Sequence, residues 1–214
     1  MSGGGQTLLA IAGNIGSGKT TLTRLVAQRL EIGALYEPSD DNPYLADFYA
    51  DMARYGLALQ LRFLADRVAQ VRELRARGAS AVQDRTCYED AEIFARSLHE
   101  DGPMDARDWQ TYERVAAPLL EDLPAPDLLV YLRRSPESCA ERVRLRGRDY
   151  ERSLPEGYLA NLGRRYDLWF ESYDRGAKLY LDGDGYDIVD RPEDLQGIVE
   201  TIRAALPQPL LEFE

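Results

Sequence analysis

The sequence predicts an α/β protein, a five-stranded parallel sheet with helices on both faces. Three observations predict it. Short apolar runs recur along the 214 residues: TLLAIA, GALYEP, ASAVQD, DLLVYLR and AKLYLDGD. Segments of helical period lie between them, as the crossovers of parallel strands require. A glycine-rich stretch, GNIGSGKTT, follows the first run and opens the first helix, which is where a phosphate-binding loop belongs.

The elements follow in order. TLLAIA is the first strand and TTLTRLVAQRL the helix after it. GALYEP is a short second strand. NPYLADFYADMARYG is helical and broken, and LALQLRFLADRVAQVRELRARG is a long helix ended by Gly78. ASAVQD is the third strand, and CYEDAEIFARSLHED a helix ended by Gly102. DARDWQTYERVAAPLLEDL is helical and stops before Pro124. DLLVYLR is the fourth strand. SPESCAERVRLRG starts a helix with Ser135 as N-cap and Pro136 at the first helical position. PEGYLANLGRRYDLWFESYDRG is helical, AKLYLDGD is the fifth strand and RPEDLQGIVETIRAAL the last helix.

Length suits one sizeable domain over residues 1–214, and no linker, repeat or low-complexity block divides it. MSGGG reads as a flexible tip reaching to about residue 6. It lacks the basic start and apolar length of a secretory signal, and no apolar stretch approaches a membrane span. Cys87 and Cys139 have neither metal-ligand nor disulfide-framework spacing. A reduced, cytoplasmic enzyme is the expectation. The net charge of −11 argues against a general nucleic-acid surface, but not against a small phosphate ligand. Of 26 basic residues only Lys19 and Lys178 are lysines. One of them lies in the glycine-rich loop.

Gly13-Asn14-Ile15-Gly16-Ser17-Gly18-Lys19-Thr20 fits G-x-x-x-x-G-K-[ST] in full, with Thr21 following. The glycines let the backbone curl so that N–H groups face phosphate oxygens, and the helix N-terminus adds partial positive charge. Lys19 reaches the β- and γ-phosphates, and Thr20 offers its hydroxyl to Mg²⁺. The loop holds a nucleoside triphosphate, with ATP the expected donor.

Three classes compete for the acceptor. A GTPase needs a guanine-reading Asn-Lys-x-Asp, and the chain has no Asn-Lys pair. An ATPase module carries an Asp at the end of an apolar strand, and DLLVYLRR ends without one. A small-molecule kinase needs a carboxylate at the acceptor hydroxyl and arginines on the phosphates, and it fits best. Asp84 closes the third strand, at the sheet edge where ligands bind in open α/β folds. There it can accept a hydroxyl proton and approach Mg²⁺, and Arg85 beside it can clamp anionic oxygens. The plainer alternative is a turn or helix-cap pair. RVRLRGRDYER packs Arg142, Arg144, Arg146, Arg148 and Arg152 around a glycine break, the composition of a lid closing on a phosphoryl group at about residues 142–155. Gln60 and Arg67 stand two helical turns apart with Phe63 and Leu64 between them. They could read a base edge, but spacing alone favours a helix border facing water.

On these blocks (GNIGSGKTTL, YEPSDDNPYLADFYADM, LQLRFLADR, VQDRTCYEDAEIFA and RLRGRDYE) the chain resembles the deoxyribonucleoside kinases over nearly its whole length. VQDRTCYEDAEIFA looks most like the bacterial deoxyadenosine/deoxycytidine enzymes. The resemblance implies a P-loop kinase fold, ATP·Mg²⁺ and a homodimer. It puts Glu37 near the substrate 5′ end, Asp84 on the general base and Arg85 on its phosphate-contacting neighbour. It puts Tyr49 and Glu151 on the 3′-hydroxyl, with Tyr49 also crowding the 2′ position. Gln60 falls on the base-reading glutamine, Arg67 and Asp90 on an Arg–Asp pair beside the base, and Arg142, Arg146 and Arg148 on the lid. LDGDGYDIV falls near the loop covering the donor adenine. The Arg–Asp pair points to deoxyadenosine first, with deoxyguanosine and deoxycytidine open.

A nucleoside monophosphate kinase of the thymidylate type is the main rival, since it shares the loop, a Glu-Pro and an Asp-Arg. A non-catalytic nucleotide-binding module is the second. His99 reads as structural or solvated, and Trp109 and Trp169 as core or interface residues rather than base stackers.

Overall fold

A computed structural model describes residues 6–37, 42–155 and 157–207 of the chain. Its strands are β1 (Leu8–Ala12), β2 (Gly33–Leu35), β3 (Ala81–Asp84), β4 (Leu128–Arg133) and β5 (Ala177–Asp182). All pair in parallel, in the order β2-β3-β1-β4-β5. The expected α/β architecture is therefore what forms.

β1 is buried on both sides. Leu8, Ala10 and Ala12 face one core, and Leu9 and Ile11 face the other. This explains why it reads as an unbroken apolar run rather than an alternating one. The first core packs against α3 (Met52–Arg77), and the second against α1 (Lys19–Leu30) and α9 (Pro192–Ala205). From β1 the chain runs out to β2 and back to β3. It then crosses to β4 on the other side of β1. The reversal falls at β1, so the crevice beyond the carboxyl ends of β1 and β3 is the topological switch point where ligands bind in such sheets.

Several boundaries move from those the sequence predicts. The break after α2 (Leu45–Ala50) falls at Asp51 rather than at Gly56. Asp51 turns extended, and its carboxylate accepts from the Arg54 N–H at 3.1 Å, capping α3. Gly56 stays helical, with Leu98 against the space a side chain would fill. β2 stops at Leu35, its last partner being Gln83, and Pro38–Asp41 lie outside the described residues. α8 (Tyr158–Ser172) is shorter than the sequence suggests, ending where Tyr173 turns extended. α7 (Pro136–Arg146) matches expectation, with Ser135 accepting from the Ser138 N–H and Gly147 left-handed at its end. After β3 and the turn at Arg85–Thr86, α4 (Cys87–Glu89), a π-helical stretch Asp90–Ala95 and α5 (Arg96–Glu100) run on without a break, and α6 (Ala106–Glu121) packs on α3.

Candidate active site

β1 delivers Gly13–Gly18 to the sheet edge, and Lys19 begins α1. The glycines do specific work at two positions. Gly16 and Gly18 have φ of 80° and 99°, in the left-handed region. A Cβ on Gly16 would also lie 2.5 Å from the Cys139 carbonyl oxygen of α7. The buried Lys19 donates from Nζ to the Asn14 carbonyl at 2.8 Å, inside its own loop. The Asn14 side chain donates to the Leu159 carbonyl of α8 at 2.8 Å.

β3 brings Asp84 level with Ile11 of β1, so the sheet itself sets the acceptor carboxylate beside the loop. Thr20 Oγ1 donates to Asp84 Oδ2 at 2.5 Å. Asp84 Oδ1 is buried with no hydrogen-bond partner in the protein. Arg85 holds a left-handed φ of 68°, a conformation that costs a non-glycine residue roughly 1–2 kcal/mol. Its guanidinium lies 4.2 Å from the Phe94 ring centroid, and its Nε is 3.1 Å from Glu37 Oε2.

These groups line a cavity of about 320 Å³. Gln60, Arg67 and Asp90 line it too, with Leu59, Phe63 and Phe94 as apolar walls. Arg67 is fully buried and satisfied on every side. Nε donates to Asp90 Oδ2 at 2.5 Å and Nη2 to Glu37 Oε2 at 2.8 Å. Nη1 donates to the carbonyls of Asp84 and Arg85 at 2.9 and 3.3 Å. Tyr49, Glu151, Tyr150 and Tyr158 line the cavity too, together with Arg146 and Arg148. Tyr49 and Tyr150 stack with their centroids 5.5 Å apart, and Arg146 pairs with Glu151.

The charges are set by burial and by each other. Burial, with Arg85, lowers the Lys19 ammonium to about 8 against the pull of Asp84, Glu89 and Glu37. Burial raises the Glu37 carboxyl, but Arg85, Arg67 and Lys19 outweigh it and hold it down to about 2. Burial pushes Asp90 up to about 6 despite its arginine partner. The Tyr49 hydroxyl is raised far above its usual range, chiefly by burial.

The structure thus gathers most of the residues singled out from the sequence: Ile15, Gly16, Lys19, Thr20, Glu37, Tyr49, Gln60, Arg67, Asp84, Arg85, Asp90, Arg146, Arg148 and Glu151. The water-facing reading of Gln60 and Arg67 is wrong, since they are 3% and 0% exposed. Arg142 does not enter the cavity. It lines a separate small groove with Ser17, Gly18, Thr21, Gly183, Tyr186 and Val189, which brings part of LDGDGYDIV to the phosphate loop. The Arg152 side chain lies outside the described residues. His99 is structural: it stacks on Trp109, and its Nδ1 lies 3.1 Å from the Met104 carbonyl.

Sequence reasoning missed Phe94, Tyr150 and Tyr158 as cavity residues. Phe94 sits four residues after Asp90, and a helical projection could have flagged it. The π-helical winding of that stretch leaves no signature in composition, although such turns gather at functional sites.

Comparison with known proteins follows the same lines. The deoxynucleoside kinase family model matches residues 9–207. A deoxyadenosine/deoxycytidine kinase of Bacillus subtilis is 33% identical over 203 residues, covering 94% of each chain. A deoxyadenosine kinase of Dictyostelium discoideum is 40% identical over 169 residues, covering 79% of this chain and 69% of that one. The solved structure of deoxyadenosine kinase from M. mycoides with bound dATP superimposes with a TM-score of 0.81 at 26% identity, covering 92% of this chain and 99% of that one.

Proposed function

Because the chain belongs to the deoxynucleoside kinase family, we propose that its cavity takes deoxyadenosine ahead of deoxyguanosine and deoxycytidine, with Asp84 as the general base. The enzyme is an ATP-dependent kinase that phosphorylates deoxyribonucleosides. The observation carrying the assignment of roles is the set of groups that line one cavity. It brings Lys19, Asp84 and Arg85 together with the buried Gln60 and the Arg67–Asp90 pair.

The nucleoside lies with its base toward Gln60 and the Arg67–Asp90 pair and its 5′-hydroxyl toward Asp84. A wrong base leaves buried polar groups unpaired, at about 1–3 kcal/mol each. Tyr49 and Glu151 hold the 3′-hydroxyl, with Tyr49 against the 2′ position. Two carboxylates stand near the 5′ end, and their surroundings separate their tasks. Glu37, held near 2 by two arginines, is too weak a base to take a proton at neutral pH. It orients Arg85 and the hydroxyl. Asp84 has an oxygen without a partner, which accepts the 5′-hydroxyl proton as the substrate's 5′-oxygen attacks the γ-phosphorus and the bond to ADP breaks. Lys19, Arg85, Arg146 and Arg148 stabilise the transferring phosphoryl group, with Arg142 acting from the donor side.

A divalent cation fits the remaining donors. Thr20 Oγ1 and Asp84 Oδ2 are hard oxygens 2.5 Å apart, and Mg²⁺ takes one or two protein ligands beside phosphates. When bound it neutralises charge on the phosphates. We also propose one kinase domain over residues 1–214 with a lid at about 142–155, a cytoplasmic location from the composition, and a homodimer, as the family resemblance implies.

The test is transfer from ATP·Mg²⁺ to deoxyadenosine, deoxyguanosine, deoxycytidine, thymidine, adenosine, dAMP and dTMP. Deoxyadenosine should give the highest kcat/KM. A preference for thymidine would overturn the base assignment, and turnover of a monophosphate would overturn the sugar clamp.

A further inference from the structure

Glu89 is a buried carboxylate that the mechanism above does not use. It is 0% exposed. Four donors converge on it from three parts of the chain. Oε1 accepts from the Gly13 N–H at 3.3 Å and from the Tyr166 hydroxyl at 2.9 Å. Oε2 accepts from the Thr86 N–H at 2.7 Å and the Thr86 hydroxyl at 3.0 Å. Thr86 Oγ1 in turn accepts from the Glu89 N–H at 3.2 Å, completing a capping box at the start of α4.

The placement of the two amides is what matters. β1 and β3 pair in parallel up to Ile11 and Asp84, and the last main-chain bond between them runs from the Arg85 N–H to the Ile11 carbonyl at 3.0 Å. Beyond it the strands part. β1 curls into the phosphate loop at Gly13, and β3 turns through the left-handed Arg85 into Thr86. The Gly13 and Thr86 amides are buried there with no carbonyl facing them across the gap, a costly state unless something else accepts. The Glu89 carboxylate accepts both. It extends the pairing of the two strands by one further rung, made by a side chain.

We infer that Glu89 is a positioning residue, which fixes the phosphate loop relative to the Asp84–Arg85 turn and so sets the register between donor and acceptor. The inference rests on the proposed roles of that loop and of Asp84. Glu89 does not line the cavity; it holds the loop and the turn through the two amides, and its charge also acts on Lys19 and Arg85. All four partners are donors. A glutamine keeps the shape but offers one oxygen and one NH₂ group, so it must leave at least one amide without an acceptor. A displacement of about 1 Å between reacting groups costs on the order of 100-fold in rate.

The experiment compares Glu89→Gln with Tyr166→Phe, using the full chain, ATP·Mg²⁺ and deoxyadenosine, well below both melting temperatures. Tyr166→Phe removes the tie to α8 but keeps both amide bonds. Glu89→Gln should lower kcat by about 10- to 100-fold, while both KM values stay within about threefold because the binding contacts are untouched. Tyr166→Phe should keep at least about half of the parent kcat, although each variant loses a buried hydrogen bond and melts earlier. A purely structural role predicts that both variants keep kcat while folded, and that result would overturn the inference. So would a Glu89→Gln loss confined to KM. Glu89→Asp keeps the charge but cannot span both amides, so it should lose kcat as Glu89→Gln does; parent-like kcat in Glu89→Asp would assign the effect to charge and overturn the inference. Turnover by the unsubstituted chain with an inactive Asp84→Asn variant is the separate control for the roles assigned to the site.

Discussion

Replacing Arg67 with methionine should be among the most damaging single changes in the chain. The guanidinium is fully buried and makes four hydrogen bonds, to Asp90, Glu37 and the carbonyls of Asp84 and Arg85. Methionine fills much of the volume and satisfies none of them. Asp90, 2% exposed, then loses its counter-charge. Breaking a buried pair this way costs about 3–5 kcal/mol, which in a chain of this size lowers Tm by about 10 °C. Asp90 has one escape, protonation. Its carboxyl already stands at about 6, raised by burial, and without Arg67 it moves higher. A folded-state pKa above the unfolded one means stability present at low pH and lost as pH rises through the folded value. The stability gap between Arg67→Met and the parent should therefore narrow as pH falls from about 8 toward 6. Asp90→Asn in the Arg67→Met background removes the stranded charge and should recover at least about 1 kcal/mol. Urea denaturation of the parent, both single variants and the double variant measures all of this. A single-variant cost under about 1 kcal/mol, or an Asp90→Asn cost that simply adds to it, would refute the reasoning.

Three further predictions follow from the site. Asp84→Asn should reduce kcat by about 100- to 10,000-fold while deoxyadenosine binding stays measurable by calorimetry; near-normal turnover would remove Asp84 as the base. Glu37 is held at about 2 in the folded chain against an ordinary 4.5. Its contribution is present above the unfolded value and lost as pH falls toward 2, about 2 kcal/mol between pH 5 and pH 3. Glu37→Gln should flatten that part of the stability–pH curve, and an unchanged curve would count against the pairing with Arg67 and Arg85. Gly16→Ala should abolish ATP binding, because its Cβ meets the Cys139 carbonyl at 2.5 Å as well as an unfavourable φ. Gly18→Ala, with nothing nearer than 3.8 Å, bears only backbone strain of roughly 1–2 kcal/mol. Titration calorimetry should rank the two variants in that order.

Local chemistry by itself determined a good deal of this protein. Periodicity and turn residues marked all five strands, because a parallel strand buried on both faces must be an apolar run and its crossovers must be helical. The phosphate loop was legible because glycine, lysine and threonine are needed at fixed offsets for reasons internal to eight residues. Ser135, Pro136 and Gly147 bounded α7 for equally local reasons. What the tertiary structure decided is everything that depends on two distant segments meeting. Arg67 on its own helix reads as a solvent-facing charge. Only the packing of α3 against the π-helical stretch and the end of β3 buries it among Asp90, Glu37 and two carbonyls. Nothing in the sequence analysis singled out Glu89. Only the parting of β1 and β3 gives it the Gly13 amide, 76 positions away, to hold. A buried charge is tolerated for its partners, and those partners are a property of the fold rather than of the neighbouring sequence.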